Sequence, residues 1–327
     1  MTDLTAPHGP LAFFLDLHPD LGDFRKDVVD GLSAPQKHLS PKYFYDERGS
    51  KLFQKITETE DYYPTRTEKA VFLNNADEIT AAPGENAAIF EYGSGASEKV
   101  EWLITGLKDP AAYVAMDISK DHLIESASAI ANTYDLPVAA VCADFSGAIE
   151  IPENVLPTPD RWLGYFPGST IGNMTSEDAV HFLRRASNTL GAGSMFLLGV
   201  DLEKDHDVMN AAYNDRAGVT AAFNLNLLHR MKRELDAALV MDDFEHNAFF
   251  NDAEKRIEMH LRARRETQII IDGQAFNFAE GETLHTENSH KYSVNRLKAL
   301  FAETPWSLER LWTDEREWFA ACLLRNS

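Results

Sequence analysis

The sequence of 327 residues holds only two cysteines, Cys142 and Cys322, each inside an apolar run. Buried free thiols in a reducing compartment are the simple reading of such sparse cysteine. Long apolar runs are missing as well. Stretches such as Met195 to Leu198 are far too short to span a bilayer. No Arg or Lys precedes Arg25, whereas Asp3 and Asp16 do, so the start lacks the basic and then apolar form of a signal peptide. A cytoplasmic protein without membrane association is expected. Positive charge is scarce throughout: 31 Lys and Arg stand against 52 Asp and Glu, a formal net charge of −21. Such a surface repels phosphate backbones, because nucleic-acid binding depends on Lys and Arg displacing counterions. A nucleic-acid partner is therefore not expected. There is no internal repeat, no low-complexity tract, and no CxxC or HExxH spacing to mark a metal site.

What is present fits a globular protein with a real core. Hydrophobic residues make up 44% and charged residues 25%, enough for one large domain or two ordinary ones. The first 40 residues, punctuated by Pro10, Pro19 and Pro35, read as short helices and loops. Residues 48 to 82 read as helical with a break at Tyr62-Tyr63-Pro64. A strand–helix alternation then sets in. Strands are expected at 87–92, at 112–116 ending on Asp117, at 138–142 ending on Asp144, at 161–166 and at 195–200 ending on Asp201. Ser97 is a candidate cap for a helix carrying Val100, Leu103, Ile104 and Leu107 on one face. Thr175 and Asp178 suggest a capping box for a helix stopped by Gly191 and Gly193. The alternation stops near 204. Residues 206–240 read as helical, and 242–290 as β-rich, with Asp272-Gly273 a hairpin signal. Residues 295–303 read as a helix and 318–324 as a last strand. Strands alternating with helices imply a mostly parallel sheet covered on both faces. The predicted architecture is α/β, a Rossmann-like sheet interrupted by an inserted α+β domain.

Open α/β sheets bind ligands at the carboxyl ends of their strands. The first parallel strand runs into Gly93-Ser94-Gly95, where glycines allow close backbone approach. A dinucleotide fingerprint would need a third glycine at position 98, but Glu98 stands there and would oppose a pyrophosphate. Asp117 is placed to accept from both hydroxyls of a ribose. Asp144-Phe145 offers a carboxylate and an aromatic face for an adenine. Each Asp alone is better explained as a strand end or helix cap. The three features in this order resemble the class I methyltransferase pattern. Lys99 is a candidate for a methionine carboxylate or simply a solvated lysine. Gly168 to Asn173, after the fourth strand, offers glycines and polar groups that could cradle the charged end of an amino acid.

A more specific resemblance spans roughly residues 40 to 325. Pro41 to Asp46, Tyr62 to Glu68, Glu91 to Lys99, Pro167 to Asn173, Ala217 to Asn224, Arg256 to Met259 and Thr286 to Lys291 together resemble the histidine-specific Nα-methyltransferases of ergothioneine biosynthesis. The resemblance implies a class I methyltransferase core with an added domain that closes over the amino acid. It implies an N-terminal segment 1–67 packing with that domain, a core at 68–204, the substrate-binding insertion at 205–290, and a C-terminal completion of the core at 291–327. The cofactor would be S-adenosylmethionine, with no metal, and the substrate L-histidine, carried to the trimethylated product hercynine. By the same resemblance, Tyr45, Gly93, Gly95, Lys99, Asp117, Asp144 and Phe145 face the cofactor. Asn173 and Tyr213 hold the substrate carboxylate, and Gly168 backbone lies near its amino group. Tyr62 lines the pocket, Glu287 and Ser289 hold the imidazole, and Met259 packs on it. Tyr45, Tyr62 and Gly168 are the groups nearest the reacting amine.

Two other readings fit parts of the pattern: a methyltransferase for another amino acid or amine, and a catalytically silent S-adenosylmethionine-binding protein. The set Asn173, Tyr213 and Glu287 favours the enzyme, since a cofactor binder has no use for it. Glu287 with the nearby His285 and His290 lacks a metal-ligand spacing. His206, among Glu203, Asp205 and Asp207, reads as a solvated helix start. Oligomeric state leaves no signal, and a monomer is the default expectation.

Overall fold

The computed structural model describes residues 4–5, 9–19, 22–95, 99–144, 147, 149–152 and 154–327. In chain order the strands are β1 (Leu4–Thr5), β2 (Phe13–Asp16), β3 (Ala87–Tyr92), β4 (Ala112–Asp117), β5 (Val138–Cys142), β6 (Arg161–Phe166), β7 (Met195–Asp201), β8 (Phe244–Asn251), β9 (Arg256–Ala263), β10 (Thr267–Ile271), β11 (Gln274–Phe278), β12 (Thr283–His290), β13 (Trp306–Thr313) and β14 (Phe319–Asn326). The helices are α1 (Phe24–Ser33), α2 (Glu47–Glu58), α3 (Tyr63–Asn74), α4 (Ala76–Ala81), α5 (Glu101–Gly106), α6 (Lys120–Thr133), α7 (Ser176–Leu190), α8 (His206–Tyr213), α9 (Val219–Leu235) and α10 (Val294–Ala302). They form two compact units. The first comprises residues 1–21, 67–202 and 292–327; the second comprises 22–66 and 203–291.

The first unit is built on one sheet, in the order β1-β2-β5-β4-β3-β6-β7-β14-β13. From β2 to β7 every pairing is parallel, and β14 then enters antiparallel beside β7. β3, β4 and β5 are buried along their whole length apart from Asp117, and they read as near-continuous apolar runs, as strands covered on both faces do. Alternation divides their side chains between two cores. Phe90, Tyr92, Val114 and Met116 enter one, together with residues of α7 and α10. Ile89, Tyr113 and Ala115 enter the other, with residues of α5 and α6. The strand order reverses between β3 and β6, so their carboxyl ends flank the crevice where open α/β sheets take ligands.

Two parts of this sheet differ from the sequence expectation. Residues 1–21, expected with the substrate domain, belong to the sheet unit, because Phe13, Phe14 and Leu15 pair with β5 and bury their side chains. The strand β13 was not anticipated. It is an edge strand with a mixed burial pattern and a register shift against β14 between Leu308 and Arg310, and that erases period-two alternation. Helix α7 begins as expected, with the Thr175 hydroxyl accepting from the Asp178 amide at 3.1 Å. The expected Ser97 cap lies outside the described residues.

The second unit carries the three-stranded antiparallel sheet β12-β9-β8 and the hairpin β10-β11. The hairpin turns on Asp272 and Gly273, both at positive φ (50° and 80°), the conformation a tight type I′ turn requires. The helical stretch expected over 206–240 is two helices. Asp215 breaks it by accepting from the amides of Val219 and Thr220 at 2.9 and 2.7 Å, so capping α9. Residues 22–66 fold onto this unit. Asp46 caps α2 through the Gly49 amide and accepts from Asn226 of α9, both at 2.7 Å, while Phe44 stacks on Phe223 at 4.4 Å.

Candidate active site

In the first unit, the chain leaves β3 through Gly93 and Gly95, at φ 69° and 48°. Among the described residues, an added Cβ on Gly93 would meet no atom within 4 Å, and on Gly95 only the Gly93 carbonyl at 4.0 Å. The left-handed backbone and the space around it form a cradle open to a ligand. Asp117 ends β4 beside it. One carboxylate oxygen accepts from the Gly95 amide at 3.1 Å and the other from the Ser119 amide at 2.9 Å. The Asp therefore fixes the glycine turn while staying half-buried at the strand end, where ribose hydroxyls would meet it. Asp144 follows β5 and is also half-buried. Phe145 lies outside the described residues. These positions fit an adenosyl group: a glycine cradle, then a carboxylate at the next strand end, then another.

Across the switch point, Gly168 follows β6 at φ 79°, and Ser169 follows at 56°. The side chain that ties the two strand ends together is Glu68 of α3, which is 3% exposed. Its carboxylate accepts from the Gly168 amide and pairs with the Lys99 ammonium at 3.1 Å. Lys99 is thus neither a purely solvated lysine nor committed wholly to a ligand. With its amide bound by Glu68, Gly168 has its carbonyl to offer an amine. Ser169 accepts from the Asp201 amide at 2.9 Å, and Asn173 closes the short 3-10 turn Thr170–Asn173, half-buried. Below the cradle, Glu91 is buried at 1% exposure and accepts from the Tyr113 hydroxyl at 2.5 Å. Burial pushes its pKa up to about 8.

The second unit brings the expected substrate residues onto one face of a strand. β12 pairs with β9 so that Glu287 faces Met259 and Ser289 faces Ile257, and the register shifts between His285 and Glu287. Directly opposed residues share a face, so Met259, Glu287 and Ser289 lie together. The bulge turns His285 to the other face, although it is only two residues from Glu287. The bulged residue Thr286 is buried, and its hydroxyl contacts Asn224 Oδ1 at 2.8 Å and the Met259 carbonyl at 3.0 Å. Asn224 also donates to the His260 carbonyl and contacts His246 Nδ1, both at 2.9 Å, and His246 Nε2 meets the Tyr213 carbonyl at 2.8 Å. One buried network thereby positions both Glu287 and Tyr213.

Tyr213 ends α8, and its hydroxyl donates to Ser289 Oγ at 2.7 Å. The Tyr62 ring meets the Tyr213 ring edge-on at 6.2 Å. Glu287 is surrounded by protein yet still half-accessible, and burial pushes its pKa up to about 7 against the opposing pull of Lys291. Tyr45 also belongs to this unit, 41% exposed and edge-on to Phe53 and Phe223. The other described cofactor candidates, Gly93, Gly95, Lys99, Asp117 and Asp144, belong to the first unit.

On the opposite face of β9 and β12, Glu258, His260 and His285 bring possible ligand atoms within 4.8 Å of one another, a grouping sequence spacing did not suggest. Burial opposes its ionisation, but Arg256, His260 and Asn251 pull the Glu258 pKa down to about 2. The His260 and His285 rings stack at 4.4 Å. His206 opens α8 directly after its cap Asp205, as expected of a solvated helix start.

A family described as histidine-specific, S-adenosylmethionine-dependent methyltransferases matches residues 24–326. The chain belongs to this family. It is 40% identical to the histidine N-alpha-methyltransferase of Mycolicibacterium smegmatis over 89% of this chain and 91% of that one. Identity is 38% to the protein of the same name from Mycobacterium tuberculosis, with the same coverage. Ergothioneine biosynthesis protein 1 of Neurospora crassa is 26% identical over 86% of this chain, which spans 32% of that longer protein. The parallel sheet with one antiparallel strand beside β7 is accordingly a class I methyltransferase sheet. Among the described residues, no helix is long and apolar enough to cross a membrane.

Within this histidine-specific methyltransferase, three contributors escaped sequence reasoning. Glu68 carries no local signal that separates it from a solvated helix acid. Asn224 and Thr286 look like ordinary polar residues until the bulge places them. Lys291 did leave a trace: Glu287, Ser289 and Lys291 follow at period two, which on a strand means one face.

Proposed function

We propose that this chain transfers methyl groups from S-adenosylmethionine to the α-amino nitrogen of L-histidine, three in succession, as the hercynine-forming step of ergothioneine biosynthesis. The observation that carries the reading is the placement of Glu287 on the same strand face as Ser289 and Met259, with Tyr213 bonded to Ser289. That face offers a carboxylate for an imidazole N–H, hydroxyls for polar partners and an apolar thioether for the ring. When bound, the cofactor supplies a sulfonium methyl that is already strongly electrophilic. The chain's own task is orientation and exclusion of water. Gly93, Gly95, Asp117 and Asp144 hold the adenosyl group. Glu287 and Ser289 fix the ring, while Asn173 and Tyr213 fix the carboxylate. The amine donates one N–H to the Gly168 carbonyl and keeps its lone pair for the methyl. Its proton leaves to water by way of Tyr45 or Tyr62. No metal takes part, and the chain acts as a cytoplasmic monomer.

Anchoring by ring and carboxylate does not depend on the amine's own N–H donors, which disappear with each transfer. Mono- and dimethylhistidine should therefore remain substrates. Incubation with S-adenosylmethionine and the twenty amino acids, read by product mass over time, tests the proposal. Trimethylhistidine as the sole end product supports it. Monomethylhistidine as the end product overturns the three-step claim, and methyl groups on the ring overturn the binding orientation.

A further inference from the structure

One buried acid has no part in that scheme. Glu68 lies on α3 and is 3% exposed. Its two carboxylate oxygens are divided between two partners. Oε1 accepts from the Gly168 amide, and Oε2 meets the Lys99 ammonium at 3.1 Å. Withdrawing a carboxylate from water is unfavourable unless opposite charge and hydrogen bonds compensate it, and these two contacts do so. Glu91 also feels Lys99, but burial holds its pKa at about 8. Near neutral pH it is mostly protonated, which leaves Glu68 as the anion of the pair.

The backbone around this carboxylate is shaped for it. Gly199 sits in the buried strand β7. A Cβ there would overlap Glu68 Oε1 and stand 3.2 Å from the Phe319 ring. A glycine inside a strand marks a close approach, and here the approaching group is the Glu68 carboxylate. On its other side, a Cβ at Gly168 would stand 3.1 Å from Lys99 Nζ. The ammonium therefore lies against the same turn whose carbonyl is assigned to the reacting amine. Glu68, Lys99, Gly168 and Gly199 all belong to the first unit. Resting on the methyl-transfer reading above, we propose that Glu68 is a positioning residue for the transfer. It locks the turn that receives the amine to the lysine that faces the cofactor, and Gly199 is a glycine to admit it. The charge matters as much as the shape. A carboxylate accepts at both oxygens, whereas a carboxamide offers one acceptor and one donor group. In Glu68→Gln either the Gly168 N–H or the Lys99 ammonium would face an NH2 group, so one of the two contacts is lost. Lys99 keeps its own charge for the cofactor's carboxylate. The loss falls on orientation of the reacting groups rather than on cofactor binding.

The test measures kcat and KM for histidine, and the dissociation constant of S-adenosylhomocysteine by calorimetry. Glu68→Gln should lower kcat by roughly 10–100-fold, the scale for a small misplacement of reacting groups. KM should move less than kcat, and S-adenosylhomocysteine affinity should stay within a few-fold of wild type or tighten. A residue that merely props the fold would lower turnover and cofactor affinity together. Gly199→Ala pushes the carboxylate aside without removing its charge, and it should reproduce the kcat loss. In a Glu68→Ala background the same substitution has no carboxylate to displace and should cost little more, because residues that act as a unit are not additive. An unchanged kcat in Glu68→Gln overturns the proposal. So do equal losses of kcat and cofactor affinity, and so does a Gly199→Ala effect of the same size with and without Glu68. If Gly199→Ala does not fold, Glu68→Gln decides alone. Wild-type protein that does not methylate histidine removes the functional reading as well, whereas normal wild-type turnover with an unaltered Glu68→Gln kcat removes this inference alone.

Discussion

Glu287 is pulled two ways. Burial favours its neutral form and Lys291 its charged form, and the balance leaves its pKa at about 7. Only the ionised carboxylate is a strong acceptor for an imidazole N–H. Histidine affinity in wild-type protein should thus rise between pH 6 and 8 by a component that is absent in Glu287→Gln. Parallel calorimetric titrations of the two proteins check this. Glu287→Ala should lower kcat/KM for histidine by roughly 10–100-fold, the loss expected for one charged hydrogen bond, and should admit phenylalanine more readily. Asp117 holds the Gly95 turn, and in the proposed function it also binds the ribose. Asp117→Ala should weaken S-adenosylhomocysteine by about 10-fold or more in calorimetry. Glu91 gives a prediction about stability. Its carboxyl has a reference pKa of 4.5 and a folded value of about 8. Between those values the folded state keeps a proton that the unfolded chain releases, so stability falls as pH rises across that window. Glu91→Gln removes the dependence. Its melting temperature should match wild type near pH 5 and exceed it by several degrees at pH 8.5.

At the scale of elements, the decisive irregularity is the bulge in β12. A regular strand would put His285 and Glu287 on the same face; the extra residue Thr286 separates them. Thr286→Val keeps the shape and removes the hydroxyl. It should cost roughly 1–3 kcal/mol in urea unfolding, because the Asn224 side chain and the Met259 carbonyl lose a buried partner. It should also lower kcat/KM, since Glu287 loses its aim. This is where sequence reading reaches its limit. The buried strands β3 to β7 were legible because each is a mostly apolar run, and β3, β4, β5 and β7 end at or beside Gly or Asp. Thr175 and the Asp272-Gly273 turn were legible because caps and tight turns are local chemistry. The β2 strand was hidden by its brevity, β13 by its edge position and shifted register, and the bulge by the absence of any local signature. Glu68 and Lys291 matter through partners 31 and 78 residues away, Lys99 and Tyr213, and no window along the sequence contains such pairs.

At the scale of the whole molecule, the chain passes between the two units four times, at 21/22, 66/67, 202/203 and 291/292. The long excursion 203–291 leaves and returns at neighbouring points, because Leu202 bridges Tyr292 and the Tyr292 amide reaches the Asp201 carbonyl at 3.2 Å. The sheet then closes with its last two strands: β14 lies between β7 and β13, paired to both. During synthesis, β7 must leave the ribosome well before its neighbour β14 exists. Chains fold as they emerge, N-terminal parts first. A buried, largely apolar strand edge therefore waits unpaired while more than a hundred residues are translated, and an unpaired strand edge invites association with other chains. For this protein, the speed of translation through 203–318 and the chaperones that guard nascent chains should govern yield more than the stability of the finished fold does.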